Sequence, residues 1–108
     1  MAKYLFIESR DSFESNDVGQ FRELAKSLAD EGNEVAVFLV QNGVLPARLG
    51  AKADGLAGLA KAGIDVLADD FSLRERAIPV DALTRGVSPA SIGVVIDRLA
   101  EGWKVVWH

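Results

Sequence analysis

The run VAVFLV, at positions 35–40, constrains the fold more than any other part of the sequence. It is apolar without interruption, whereas a strand with one solvated face alternates apolar and polar residues. Such a run is typical of a strand that is covered on both faces inside a mainly parallel sheet. A second apolar run, YLFI, lies within residues 3–8. The sequence therefore predicts two strands of a covered α/β sheet.

The segment between these strands has the periodicity of an amphipathic helix. Its apolar residues recur at three- and four-residue steps, namely Val18, Phe21, Leu24, Ala25 and Leu28. The polar residues 15–17 are suited to begin this helix, and Gly32 is suited to end it. Residues 3–40 are therefore predicted to form a βαβ crossover, which is almost always right-handed.

The rest of the chain continues the alternation of helix and strand. Further predicted elements are a short helix over residues 53–62, a strand over residues 64–68 and a final strand over residues 103–107. Before that last strand, Ser88 and Pro89 are placed as the N-cap and first residue of a helix that ends at Gly102. We expect residues 1–108 to form one domain with a three-layer α/β/α architecture. Its mostly parallel sheet would have about five strands, in the flavodoxin-like topology class.

Composition excludes several classes of function. The formal net charge is −4, so the chain has no basic footprint for nucleic acid. No apolar run approaches the ~20 residues of a membrane-spanning helix, and the N-terminus lacks the apolar core of a secretory signal. We therefore expect a cytoplasmic protein with no nucleic-acid or membrane partner. The chain has no cysteine, which excludes disulfides, thiolate catalysis and persulfide transfer on these residues.

Polar residues follow three of the predicted strands, at the edge where open parallel sheets bind ligands. The backbone amides and hydroxyls of residues 8–12 suit a small anion, although no nucleotide-binding glycine motif is present. Asn42 and Gly43 could contact a ligand, but this dipeptide is more typical of a turn. No catalytic residue, metal ligand or cofactor is predicted. The candidate ligand-binding residues are Ser9, Arg10, Asp11, Asn42, Gly43, Asp69, Asp70 and Ser72.

The stretch VLADDFSLRER, residues 66–76, places two acids before a capping-box pattern. In that pattern Ser72 would begin a helix and Glu75 would close the box three residues later. Asp69 and Asp70 would precede the helix, where its dipole favours negative charge. This interpretation explains both acids without giving them a chemical role.

The last residues of the sequence include its one histidine and both tryptophans. His108 is expected to be a frayed end that cannot assemble a triad or a zinc site. Trp103 and Trp107 lie four residues apart on the last predicted strand, so they share one face. We expect that face to contact the core or another subunit.

The order of these segments resembles the DsrE/DsrF-like family, which includes the TusD-type sulfur-relay subunits. The similar segments are residues 3–48, which end in QNGVLPAR, the stretch VLADDFSLRERAI and the stretch RGVSPASIGVVIDRLAEGWKVVWH. The resemblance implies an α/β fold and assembly into trimers or hexamers, with heteromeric assemblies among the relay members. It also implies a persulfide-bearing cysteine after the third strand. That position matches Asp69, or less closely Asp70, and Ala77 stands where a glycine is common.

A carboxylate cannot hold transferable sulfane sulfur, so the leading hypothesis is a family member without the sulfur-carrying cysteine. It would be a non-catalytic binding, scaffolding or regulatory homo-oligomer with a small ligand or a protein partner. The alternative is a carboxylate site for Mg²⁺, or a phosphoreceiver-like site, formed by Glu8, Asp11, Asp69 and Asp70. A receiver also needs a lysine at the carboxyl end of its last strand, whereas Lys104 lies near the start of the predicted one.

Overall fold

The computed structural model describes residues 2–11, 17–49 and 55–108. Its strands are β1 (Lys3–Glu8), β2 (Glu34–Leu39), β3 (Asp65–Asp69), β4 (Val87–Ala90) and β5 (Lys104–Trp107). Its helices are α1 (Val18–Asp30), α2 (Leu56–Lys61), α3 (Asp70–Glu75) and α4 (Gly93–Ala100), and a 3₁₀ segment spans Gln41–Ala47. Ser12, residues 15 and 16 of the predicted beginning of the first helix, and residue 53 at the predicted beginning of the second helix lie outside the described residues, whereas Asp17 directly precedes α1.

The strands form one sheet in the order β4-β3-β2-β1-β5, and every pairing between them is parallel. This confirms the predicted α/β fold class with its parallel five-stranded sheet. The chain adds β2, β3 and β4 on one side of β1 and then returns to place β5 on the other side. The order of the strands therefore reverses between β1 and β5.

The two faces of the sheet bury separate apolar cores, because successive side chains of a strand point to opposite faces. On the first face, Phe6, Val37 and Ala68 pack with residues of α1, α2 and α3. On the second face, Leu5, Ile7, Ala36 and Phe38 pack with Val95 of α4 and with Trp103. The fully apolar run in β2 is explained by these two cores, since it contributes to both.

The second face is covered more thinly than the first. Among the described helices, only α4 contributes to its core, and Val95 is the buried residue of that helix. Ile92, Ile96 and Leu99 are 55, 62 and 52% exposed. The apolar stripe predicted for this helix therefore exists, but most of it faces outwards.

The predicted beginning of the last helix is wrong. Ser88 and Pro89 lie in β4, and α4 begins at Gly93. β4 is an edge strand paired only with β3 in the sheet, which is where a proline without an amide hydrogen is tolerated. Sequence reasoning took Pro89 as a helix-start signal because both positions accept proline. None of the described helices combines the length and apolar character needed to cross a bilayer.

Candidate functional site

Asp69 ends β3 and caps α3. Its Oδ2 accepts hydrogen bonds from the backbone N–H of Ser72 at 3.0 Å and from the Ser72 hydroxyl at 2.7 Å. The prediction that Ser72 begins this helix is therefore wrong, because Ser72 is the third residue of α3. Aspartate is as good an N-cap as serine, and Asp69 is the one that follows the strand directly. Glu75 is exposed and lies 4.0 Å from Arg76 Nη1 instead of closing a capping box.

The Ser72 hydroxyl connects the ends of β2 and β3. While it donates to Asp69, it accepts a hydrogen bond of 2.9 Å from the backbone N–H of Gln41. Ser72 is 3% exposed, so both bonds are shielded from water. This hydroxyl is buried, and it both donates and accepts a hydrogen bond. It therefore positions the ends of β2 and β3 and is not available as a nucleophile.

Asn42 is held by an arginine from α3. Its Oδ1 accepts hydrogen bonds from Arg76 Nε at 3.2 Å and from Nη2 at 3.1 Å. A third bond of 3.3 Å runs from Arg76 Nη1 to the carbonyl oxygen of Ser72. These three hydrogen bonds hold the 3₁₀ segment against α3, so the Asn42 side chain has a structural function here.

Gly43 is buried against the end of β1. A Cβ atom at this position would overlap the carbonyl oxygen of Glu8. The Gly43 N–H donates to the carbonyl oxygen of Val40 at 2.8 Å, which forms the turn predicted for Asn42 and Gly43. Close packing therefore explains why a glycine stands here.

The segment after β1 bonds to the end of β5, across the point where the strand order reverses. The backbone N–H and the hydroxyl of Ser9 each donate to the carbonyl oxygen of His108 at 2.9 Å. The buried Glu8 carboxylate lies 2.9 Å from His108 Nδ1 and accepts from the Arg10 N–H at 3.1 Å. The expectation that His108 is frayed is therefore wrong, since its side chain is 18% exposed and also stacks on Phe21.

The four acids of the alternative hypothesis do not form one site. Glu8 follows Ile7 and points to the face of α1, whereas Asp69 shares the face of Leu67, on the side of α4. Within residues 2–11, 17–49 and 55–108, no three histidine, aspartate or glutamate residues are grouped so that they could hold a metal ion. Lys104 pairs with Tyr4 at the amino end of β1, the opposite edge from the one a receiver needs.

A cleft of about 280 Å³ opens beside Asp69. Of the predicted candidates, the structure brings Asp69 and Ser72 into it, while Ser9, Arg10, Asp11, Asn42, Gly43 and Asp70 lie outside its lining. Sequence reasoning missed the apolar part of the lining because those residues come from four separate segments. Phe71, directly after Asp69 and Asp70, was the one sequence feature that could have indicated this apolar lining. The full lining is Val40, Gln41, Asp69, Phe71, Ser72, Glu75, Ile92 and Trp107.

The chain is similar to one family profile and to several solved structures. The profile of the DsrE/DsrF-like family matches residues 2–107, whereas no curated protein sequence matches the chain. A protein of unknown function, MTH1491 from Methanobacterium thermoautotrophicum, is 24% identical with a TM-score of 0.87 over 100% of both chains. The ychN protein from E. coli is 18% identical with a TM-score of 0.84, also over 100% of both chains. The conserved protein of unknown function BT1422 from Bacteroides thetaiotaomicron is 14% identical with a TM-score of 0.73, over 98% of this chain and 95% of the other. These structures support the same fold.

Proposed function

Because the chain belongs to the DsrE/DsrF-like family, we propose that it is a non-catalytic, self-associating binding subunit, related to sulfur-relay proteins but carrying no sulfur itself. The observation that carries this proposal is the chemistry at the end of β3. There the family resemblance matches the buried Asp69, or less closely Asp70, to the persulfide cysteine of active members, and the chain has no cysteine. The proposed location is the cytoplasm, with no nucleic-acid or membrane partner.

Self-association is supported by the thin cover on the second face of the sheet. A parallel sheet is normally covered by helices on both faces. Here α4, the one described helix on that face, directs Ile96 and Leu99 outwards, beside Val105 at 37% exposure on the edge strand β5. We name these three residues the α4 patch. A second copy that covers the α4 patch would complete the third layer, in a trimer or hexamer of the kind the family resemblance implies.

Sedimentation equilibrium tests this proposal. The wild-type chain should sediment as a trimer or hexamer of its 11.6 kDa subunit. Leu99→Glu places a charge in the α4 patch and should shift the mass towards that of one subunit. Leu24→Glu is the matched control, because Leu24 is 48% exposed on α1, a helix of the other face. A monomeric wild-type chain would contradict the proposal, as would equal effects of the two substitutions.

A further inference from the structure

The cleft beside Asp69 is lined by exposed apolar side chains and by acidic side chains. Phe71, Ile92 and Trp107 are 56, 55 and 66% exposed, and all three border it. Among the described residues that line the cleft, the ionisable ones are Asp69 and Glu75, and both are acids. The cleft is therefore complementary to a ligand that carries positive charge and an apolar body.

The Asp69 carboxylate supplies a specific polar anchor. Asp69 is 7% exposed, and its Oδ2 accepts both hydrogen bonds from Ser72. No described residue donates to its Oδ1, although the side chain lines the cleft. Charged groups that are removed from water are normally paired or fully hydrogen-bonded. The largely buried Asp69 side chain thus presents a carboxylate oxygen with unused capacity to accept.

Neither nearby arginine neutralises this carboxylate. The Arg76 guanidinium donates to Asn42 Oδ1 and to the carbonyl oxygen of Ser72. The Arg74 guanidinium lies 6.0 Å from the centre of the Phe71 ring and is not part of the lining. The positive charge that would complement Asp69 is therefore left for a ligand to provide.

The aromatic side chains favour the same kind of ligand. The face of an indole or phenyl ring attracts ammonium and guanidinium groups. Trp107 and Phe71 border the cleft together with Asp69, so one bound molecule can reach the carboxylate and a ring at once. Ile92 and Val40 add apolar surface for the body of the molecule.

We propose that this cleft binds a small organic cation, an ammonium or guanidinium group on an apolar body, with the charge at Asp69 and the body against Phe71, Ile92 and Trp107. The inference rests on the proposed binding role and names the class of ligand. It is separate from self-association, because α4 runs back from the carboxyl edge of the sheet. Ile92 precedes α4 at that edge, whereas Leu99 lies two turns away towards the start of β5.

Calorimetric titration of the assembled protein with three probes of similar size tests the proposal. The probes are 2-phenylethylamine, which is a cation at pH 7, neutral 2-phenylethanol and anionic phenylacetate. The amine should bind about tenfold more tightly than the alcohol, since it adds the interaction with Asp69, and phenylacetate should not bind. Asp69→Asn keeps an oxygen for the Ser72 bonds and should lower the affinity for the amine to that for the alcohol.

Two further variants complete the test: one is a control, and the other replaces Asp69→Asn if that variant does not fold. Asp30→Asn removes an exposed acid at the far end of α1 and should leave amine binding unchanged. If Asp69→Asn does not fold, Glu75→Gln at the exposed side of the cleft should weaken the amine about threefold, as loss of a rim charge does. The proposal is overturned if the alcohol or phenylacetate binds as tightly as the amine, if none of the probes binds, or if the cleft variants behave like Asp30→Asn. Those results would leave the sedimentation result, and with it the proposed self-association, unaffected.

Discussion

The Nδ1 atom of His108 lies 2.9 Å from Oε2 and 3.1 Å from Oε1 of Glu8, so the last residue of the sequence is tied to the end of the first strand. Glu8 is 1% exposed, and the contact spans the point where the strand order reverses. The pair therefore links the ends of the neighbouring strands β1 and β5.

Loss of this pair should destabilise the fold. His108→Ala leaves the buried Glu8 carboxylate without its side-chain partner, and we predict a loss of about 1–3 kcal/mol in the free energy of unfolding. Urea denaturation measures this change. The control is Asp81→Asn at an exposed turn, which should stay within about 0.5 kcal/mol of the wild type. Equal stabilities of the two variants would show that the Glu8–His108 contact is not formed in solution.

Two glycines should respond in opposite ways to the same substitution. Gly43→Ala forces a methyl group against the backbone of Glu8, which cannot rotate away, so a loss of about 1–3 kcal/mol is expected. Gly19→Ala meets no atom within 4 Å inside α1 and should stabilise the protein by about 0.5–1 kcal/mol. Thermal unfolding of both variants measures the difference. A tolerated Gly43→Ala would mean that the 3₁₀ segment lies further from β1.

The corrected cap of α3 predicts unequal roles for Ser72 and Glu75. Ser72→Ala removes the hydroxyl between Asp69 and the Gln41 amide and should cost about 1–3 kcal/mol. Glu75→Ala changes an exposed side chain and should stay within about 0.5 kcal/mol of the wild type. Chemical denaturation of the two variants distinguishes this cap from the capping box predicted from sequence. In that box, Glu75 would contribute comparably to Ser72.

The backbone conformation of Ala77 is one that favours glycine. Its φ is +54°, in the left-handed region that costs a non-glycine residue roughly 1–2 kcal/mol. Ala77→Gly relieves this strain but increases the entropy of the unfolded chain, so a net gain of about 0.5–1 kcal/mol is predicted. Ala57→Gly, within helix α2, should instead cost about 1 kcal/mol. A destabilising Ala77→Gly, measured by thermal unfolding, would contradict the left-handed conformation.

The sequence was sufficient for the parts of the fold that repeat a simple period. The runs in β1 and β2 and the stripe of α1 each identify their element, because burial on one or two faces leaves a direct trace in the order of residues. Boundaries that depend on a single polar residue were less predictable. Asp69 and Ser72 are both good N-caps, and only the end of β3 decides between them.

The candidate site could be predicted only in part, because contacts distant in sequence decide its shape. Asp69 was identified from its place after a strand, whereas the Glu8–His108 pair joins residues 100 positions apart. Trp107 and Ile92 line the cleft because of the strand order, which was not predicted from the sequence. No local pattern reports such an arrangement.

The most direct test of the central claim, that a second copy covers the α4 patch, uses the absence of cysteine from the chain. Ile96→Cys introduces a unique thiol on the exposed stripe of α4, and a nitroxide attached there reports its own mobility by electron paramagnetic resonance. Leu24→Cys on α1 gives the matched label on the other face. We predict an immobilised spectrum at position 96 that becomes mobile on dilution, and a mobile spectrum at position 24 throughout. Mobile spectra at both positions, unchanged by dilution, would contradict the claim.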